Sequence, residues 1–144
     1  MIVYHFLNEP NTNRMEDIEA LLFELTKRQI KITRKHFLLV AMRTRWLAAM
    51  EESSEKIVGM GTLVPIAIPS GLCGRIEDVV LIPDYQGKGY GRKIMDRLIK
   101  EAKQMGMKHL ALTSKPERVK ANALYSKLGF VLRETNAYRL ILSQ

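Results

Sequence analysis

The 144-residue chain contains one cysteine, Cys73, which excludes an internal disulfide and any zinc site built from several cysteines. Its three histidines, His5, His36 and His109, are scattered without metal-ligand spacing, so no metal is expected. No Ser/His/Asp or Cys/His arrangement points to a covalent acyl-enzyme. The N-terminal MIVYHFLNEP lacks a basic region followed by a long apolar run, so no secretory signal is expected. With a lone cysteine, this fits a reducing, cytoplasmic compartment. Residues 57–74 carry no charge, but Pro65, Pro69 and four glycines interrupt them and exclude a membrane span. There is no low-complexity tract and no internal repeat.

What remains is an ordinary globular composition, 47% apolar and 26% charged, enough for a substantial core and one domain over 1–144. The formal charge is +8. Residues 1–74 carry 9 basic and 8 acidic side chains, whereas residues 75–144 carry 14 and 7. The excess therefore sits in the second half of the chain, where a polyanionic ligand or solubility would account for it.

Residues 2–7 read as a strand. Met15, Ile18, Leu22 and Leu25 recur at helical spacing, and Asn13 with Glu16 resembles a capping box, which predicts a helix over about 14–28. A second helix is expected over about 34–44, with Thr33 as its cap. RWLAAME and KIVGMGTLVPI, joined by ESSEK, read as an antiparallel hairpin, and RIEDVVLI, rich in β-branched residues, as a further strand. A Gly-rich turn then leads into a helix with Ile94, Leu98, Ile99, Ala102 and Met105 on one face. HLALTS follows as a strand, NALYSKL as a helix ended by Gly129, and FVLR and YRLIL as closing strands. The order predicts an α/β (α+β) domain with a mixed sheet.

The turn Gln86-Gly87-Lys88-Gly89-Tyr90-Gly91 joins a strand to the start of an amphipathic helix. Alternating glycines turn the backbone tightly, expose its N–H groups and admit a ligand close to the main chain. The helix N-terminus adds partial positive charge, and Lys88, Arg92 and Lys93 can pair with further anionic groups. The spacing is neither that of a P-loop nor that of a dinucleotide fingerprint.

DVVLIPDYQGKGYGRKIMDRLI resembles the acetyl-CoA signature of the GCN5-related N-acetyltransferases: Gln or Arg, two residues, Gly, one residue, then Gly or Ala. Here the pattern is Gln86, Gly89 and Gly91. ANALYSKLGF resembles the later motif of that family, a tyrosine-bearing helix followed by Gly-Phe, and the element order matches along nearly the whole chain. The resemblance implies a mixed, mostly antiparallel sheet flanked by helices, with a splayed strand pair at the cofactor site. It implies that backbone groups of Val79, Val80 and Leu81 take the pantetheine arm of acetyl-CoA. Gly87, Lys88, Gly89, Tyr90, Gly91 and Arg92 would hold the pyrophosphate, with Gln86 and Lys93 also in the cofactor-binding set.

The resemblance makes Tyr125 the candidate general acid for the departing thiolate, against the alternative of a tyrosine packed between Leu124 and Leu128. Asn122 would contact coenzyme A or help hold its helix. Where many members carry Asn seven residues before the tyrosine, this chain has Arg118, so that contact does not carry over. Glu77 and Asp78 open the strand before the turn, and alternation places them on opposite faces. RIEDVV resembles the corresponding strand of glucosamine-6-phosphate N-acetyltransferases, where the acidic pair lies near the acceptor. Glu77 is then a possible general base and Asp78 an alternative acceptor-site carboxylate, against a strand-end carboxylate paired to Arg75.

The expected function is direct, acetyl-CoA-dependent transfer to an amine of a small molecule or peptide. Residues 26–46 and the 65–74 turn are the expected acceptor region. A coenzyme A binding sensor without turnover and a basic nucleic-acid-binding module are the rival classes. The second lacks any helix-turn-helix, zinc or RNP-like motif. The resemblance further implies a homodimer, with the edge of the final YRLIL strand as a place for its contact.

Overall fold

The computed structural model of the chain describes residues 1–143. The chain divides into two compact units, 1–112 and 113–144. In the first, α1 (Thr12–Thr26) and α2 (Arg34–Arg43) follow β1 (Ile2–Phe6) and precede β2 (Arg45–Glu51), β3 (Ile57–Ile68) and β4 (Gly71–Leu81). A single 3₁₀ turn, Pro83–Tyr85, leads to α3 (Tyr90–Gln104), and β5 (Leu110–Ala111) completes the unit. The sheet order is β1-β2-β3-β4-β5. Its first four strands are antiparallel, and β5 alone runs parallel to its neighbour β4. The mixed, mostly antiparallel sheet flanked by helices is the architecture that the sequence implied.

Local chemistry sets the helix ends. The cap of α1 is Asn11, not Asn13: its extended backbone lets the side chain accept from the Arg14 N–H at 2.8 Å. Thr33 caps α2 as expected, accepting from the His36 N–H at 3.1 Å.

Each face of the sheet is covered for a different reason. On one, Ile18 and Leu21 of α1 and Phe37 of α2 pack into a core with Trp46, Ile57 and Met60. The Phe37 and Trp46 rings lie 4.7 Å apart. On the other, α3 lays Ile94, Met95, Leu98 and Ala102 onto the sheet. Gly59 and Gly61 of β3 permit that approach, because a Cβ on Gly61 would sit 2.8 Å from Ile94 and 3.0 Å from Leu98. This close seating fixes the position of the α3 N-terminus.

In the second unit, α4 (Val119–Lys127) carries the NALYSKL segment as expected, and Gly129, with φ 97°, follows its C-terminus. The closing strands FVLR and YRLIL do not form: residues 130–143 have no regular secondary structure. Val131, Leu132, Tyr138, Leu140, Ile141 and Leu142 are all exposed. Their strand-like composition is real, but a strand exists only where a neighbour accepts its backbone hydrogen bonds, and the sheet ends at β5. HLALTS is likewise shorter than expected, two residues of strand.

Candidate active site

Two interruptions of the sheet shape β4. The first is at its β5 edge. Pairing with β5 covers only Gly74–Leu110 and Arg75–Ala111, so that among the described residues no strand pairs with Glu77–Leu81 on that side. Backbone N–H and C=O groups of Val79, Val80 and Leu81 therefore include some free to bind an extended ligand, as an added strand would. This is the splayed pair.

The second interruption is a bulge. Met60 pairs with Val80 but Thr62 pairs with Glu77, so Asp78 and Val79 together oppose Gly61. Asp78 takes up the irregularity with φ 52°, a left-handed conformation that aspartate tolerates better than most side chains. The expected separation of Glu77 and Asp78 onto opposite faces fails for this reason. Glu77 shares the face of its partner Thr62, and Asp78 lines a cavity together with Thr62 and Met60.

Past β4, Gly87 (φ 73°) and Gly89 (φ 88°) reverse the chain into α3, for which Gly89 is the N-terminal cap. Both need the left-handed region, which a β-branched residue enters only with strain. Space beside them is open: nothing lies within 4 Å of where their Cβ atoms would be. The N–H groups of Tyr90, Gly91 and Arg92 start the helix without intrahelical acceptors, as an anion site requires. Lys88 and Lys93 lie over the Tyr85 and Tyr90 rings, at 5.9 and 5.8 Å, and Arg92 pairs with Asp96 at 3.5 Å. Gln86 braces the turn, its Nε2 donating to the Leu81 carbonyl at 2.8 Å and to Glu24 at 3.3 Å.

The acidic pair is divided by its surroundings. Glu77 accepts from Arg75 Nε at 2.9 Å. Asp78 opens to solvent at the cavity mouth, yet enough protein surrounds its carboxyl to raise its pKa above the usual carboxylate value, and the Glu77 charge adds to this. The cavity, about 230 Å³, lies on the α1–α2 side of the sheet and takes walls from Ile18, Leu22, Ile32, Val40, Trp46 and Met60. Residues between 26 and 46 contribute to it, whereas residues 65–74, which the structure makes the paired ends of β3 and β4 and not a long turn, contribute none. Sequence reasoning missed Thr62, which carries no local signal and reaches the cavity through β-pairing; Trp46 ends the expected acceptor segment but was not singled out.

In the second unit Tyr125 is 8% exposed, with its ring edge-on to Phe130 at 6.1 Å. Burial pushes its phenol above its ordinary value of 10.0, and Arg118 opposes that shift without cancelling it, so the group is protonated at neutral pH. Asn122 Nδ2 donates to the Lys115 carbonyl at 3.0 Å, tying the start of α4. Among the described residues no group of three or more His, Cys, Asp or Glu side chains is arranged to hold a metal ion. Nor is any helix long and apolar enough to cross a membrane.

Free-edged β4, the glycine turn and the helix N-terminus together could hold an extended, phosphorylated ligand. Comparison gives that site its family: residues 6–130 match the Acetyltransferase (GNAT) family, and the chain belongs to it. It is 31% identical over 104 residues to the N-acetyltransferase ycf52 of Porphyra purpurea, covering 72% of this chain and 54% of that protein. The chain thus spans about half the length of the first curated relatives it matches. Its fold is shared with a Trypanosoma brucei acetyltransferase (TM-score 0.81, 24% identity, 99% and 100% of the two chains). It is shared also with glucosamine-6-phosphate N-acetyltransferase from Arabidopsis thaliana (0.78, 22%, 97% and 98%).

Proposed function

We propose that this chain is one acetyl-CoA-dependent N-acetyltransferase domain that moves an acetyl group directly to an amine within a ternary complex. The observation that carries this reading is β4 itself, with an unpaired edge from Glu77 to Leu81 ending at a glycine turn on a helix N-terminus. The family match, which crosses the division at Leu112, supports treating both units as one domain.

Backbone groups of Val79, Val80 and Leu81 hold the pantetheine arm and polarise the thioester carbonyl. The turn from Gly87 to Arg92 takes the pyrophosphate, with Lys88 and Lys93 beside it and Gln86 fixing its geometry. The amine nitrogen attacks the acetyl carbon, and the C–S bond breaks as the tetrahedral intermediate collapses. Tyr125 gives its phenolic proton to the leaving thiolate. Asp78 or Glu77, directly or through water, accepts the proton lost by the amine. The ion pair that occupies Glu77 favours Asp78 for this task.

Positioning and oxyanion stabilisation supply most of the rate enhancement, with acid and base help of about 10²-fold or more each. A homodimer in the cytoplasm completes the reading, supported by the single buried cysteine and by the exposed apolar residues of the C-terminal segment. The test is release of free thiol from acetyl-CoA across a panel of amines, with coenzyme A binding measured in parallel. Binding without transfer would reduce the chain to a sensor; salt-dependent DNA binding without coenzyme A binding would replace the reading altogether.

A further inference from the structure

The cavity beside Asp78 deepens the acetyl-transfer reading and rests on it. We infer that the acceptor is a primary amine on a compact apolar body, an arylalkyl- or alkylamine, with its nitrogen at Asp78 and its hydrocarbon against Leu22, Ile30 and Val40, beside Trp46. Three features of the cavity carry this.

Its walls are hydrocarbon. Leu22, Ile30 and Val40 are half-buried and keep surface open to the cavity, and behind them Ile18, Met60, Trp46 and Ile32 are buried. The Trp46 indole N–H is already engaged, donating to Met60 Sδ at 3.5 Å. A sugar placed there would trade the water around its hydroxyls for surfaces that return few hydrogen bonds, which costs about 1–3 kcal/mol per group left unpaired. An aromatic or aliphatic body gains from the same surfaces.

Charge is placed for one cation. Among the side chains lining the cavity, Asp78 is the one carboxylate. Glu77, on the same face, is held by Arg75, and Glu19 is held by Lys31 at 3.5 Å. An anionic acceptor group would find only that committed, largely exposed Lys31 and the exposed His36. A phosphate normally takes several donors at once.

Size is the third feature. At about 230 Å³ the cavity falls below the ~300–1,000 Å³ of sites for drug-sized ligands, which suits a small molecule. Thr62, buried beside Asp78 in the cavity wall, adds one hydroxyl near the amine end, where a polar group belongs.

Trp46 is the chain's only tryptophan, so its emission reports occupancy of the cavity without any need for turnover. The experiment compares 2-phenylethylamine, hexylamine, glucosamine 6-phosphate and an alanyl peptide as acceptors in the thiol-release assay, and titrates each against Trp46 fluorescence without donor. The expected result is kcat/KM at least about tenfold higher for the two apolar amines, with saturable changes in Trp46 emission for them alone. Asp78→Asn should weaken that binding about tenfold or more and leave coenzyme A affinity unchanged. Ile30→Lys, which adds a cation to the wall at a half-buried position, should weaken it about fivefold. Higher kcat/KM for the phosphosugar or the peptide would overturn the acceptor class while leaving acetyl transfer intact. If no amine is acetylated, the transfer reading fails: saturable binding of the apolar amines, lost in Asp78→Asn, would then leave the cavity as an apolar-amine site and no acceptor site, and no binding overturns the inference itself.

Discussion

The two sides of β4 are built by different means. On the donor side, the free edge and the turn from Gln86 to Lys93 use main-chain groups of consecutive residues. On the acceptor side, the cavity gathers side chains from α1, α2 and three strands, with Asp78 at the bulge of β4 among them. Main-chain recognition asks little of the sequence beyond glycines and a helix start, so it suits the ligand that a whole family shares. A side-chain cavity is set by this chain's own residues, and the proposed acceptor choice would reside there.

The contrast can be broken at either side, and the largest effect is expected for the acid. Tyr125→Phe removes the only proton that the phenol can give, and kcat should fall about 10²-fold while coenzyme A binding changes little. In the unsubstituted chain a general acid must be protonated, so activity is lost as pH rises through its pKa. That pKa is raised, so the alkaline fall from Tyr125 should lie above pH 10.0. A pH profile of kcat measures both.

Gly89→Val forces a β-branched residue to φ 88°. At about 1–3 kcal/mol of strain, coenzyme A affinity measured by calorimetry should drop by roughly 5- to 150-fold. Trp46 emission on amine binding should not change, because the cavity owes nothing to the turn's backbone. Loss of both would show that the two sides are not separable.

Asp78→Asn is compatible with the left-handed backbone and should cut kcat/KM about 10²-fold, by removing the base and the partner of the amine together. A base must be ionised, so activity is lost as pH falls through its pKa. Because that pKa is raised, the acid limb should appear above the usual carboxylate range and vanish in the variant. The smallest effect is expected for Glu77→Gln, less than about threefold, since it removes one partner of a half-exposed ion pair with Arg75. A larger loss would return the base role to Glu77.

This division also governs what the sequence discloses. The turn at Gly87 to Gly91, α2 behind Thr33, and β2 through β4 are written in local composition, and the structure has them within a few residues of where that composition puts them. The motif at Tyr125 is equally local. By contrast, Asp78 lines the cavity because a bulge breaks alternation, and nothing in RIEDVV announces the extra residue. Thr62, Trp46 and Met60 lie far from one another or from Asp78 in sequence and meet through strand register alone. The C-terminal segment shows the converse. Val131 to Leu142 has strand-like composition, yet composition cannot supply the neighbouring edge that a strand needs. A second copy of the chain would be one source of such an edge. Sedimentation of the chain with and without Leu140→Glu and Leu142→Glu would test the homodimer, which should dissociate in the double variant.

The central claim is that β4 and its turn deliver acetyl-CoA to an amine held beside Asp78. Its most direct measurement is simultaneous detection of free thiol and N-acetylated product from acetyl-CoA and 2-phenylethylamine. The expected result is one thiol released per amine acetylated, at a rate that falls in Tyr125→Phe and in Asp78→Asn. Thiol release without acetylated amine, or no release with any amine in the presence of bound acetyl-CoA, would contradict it.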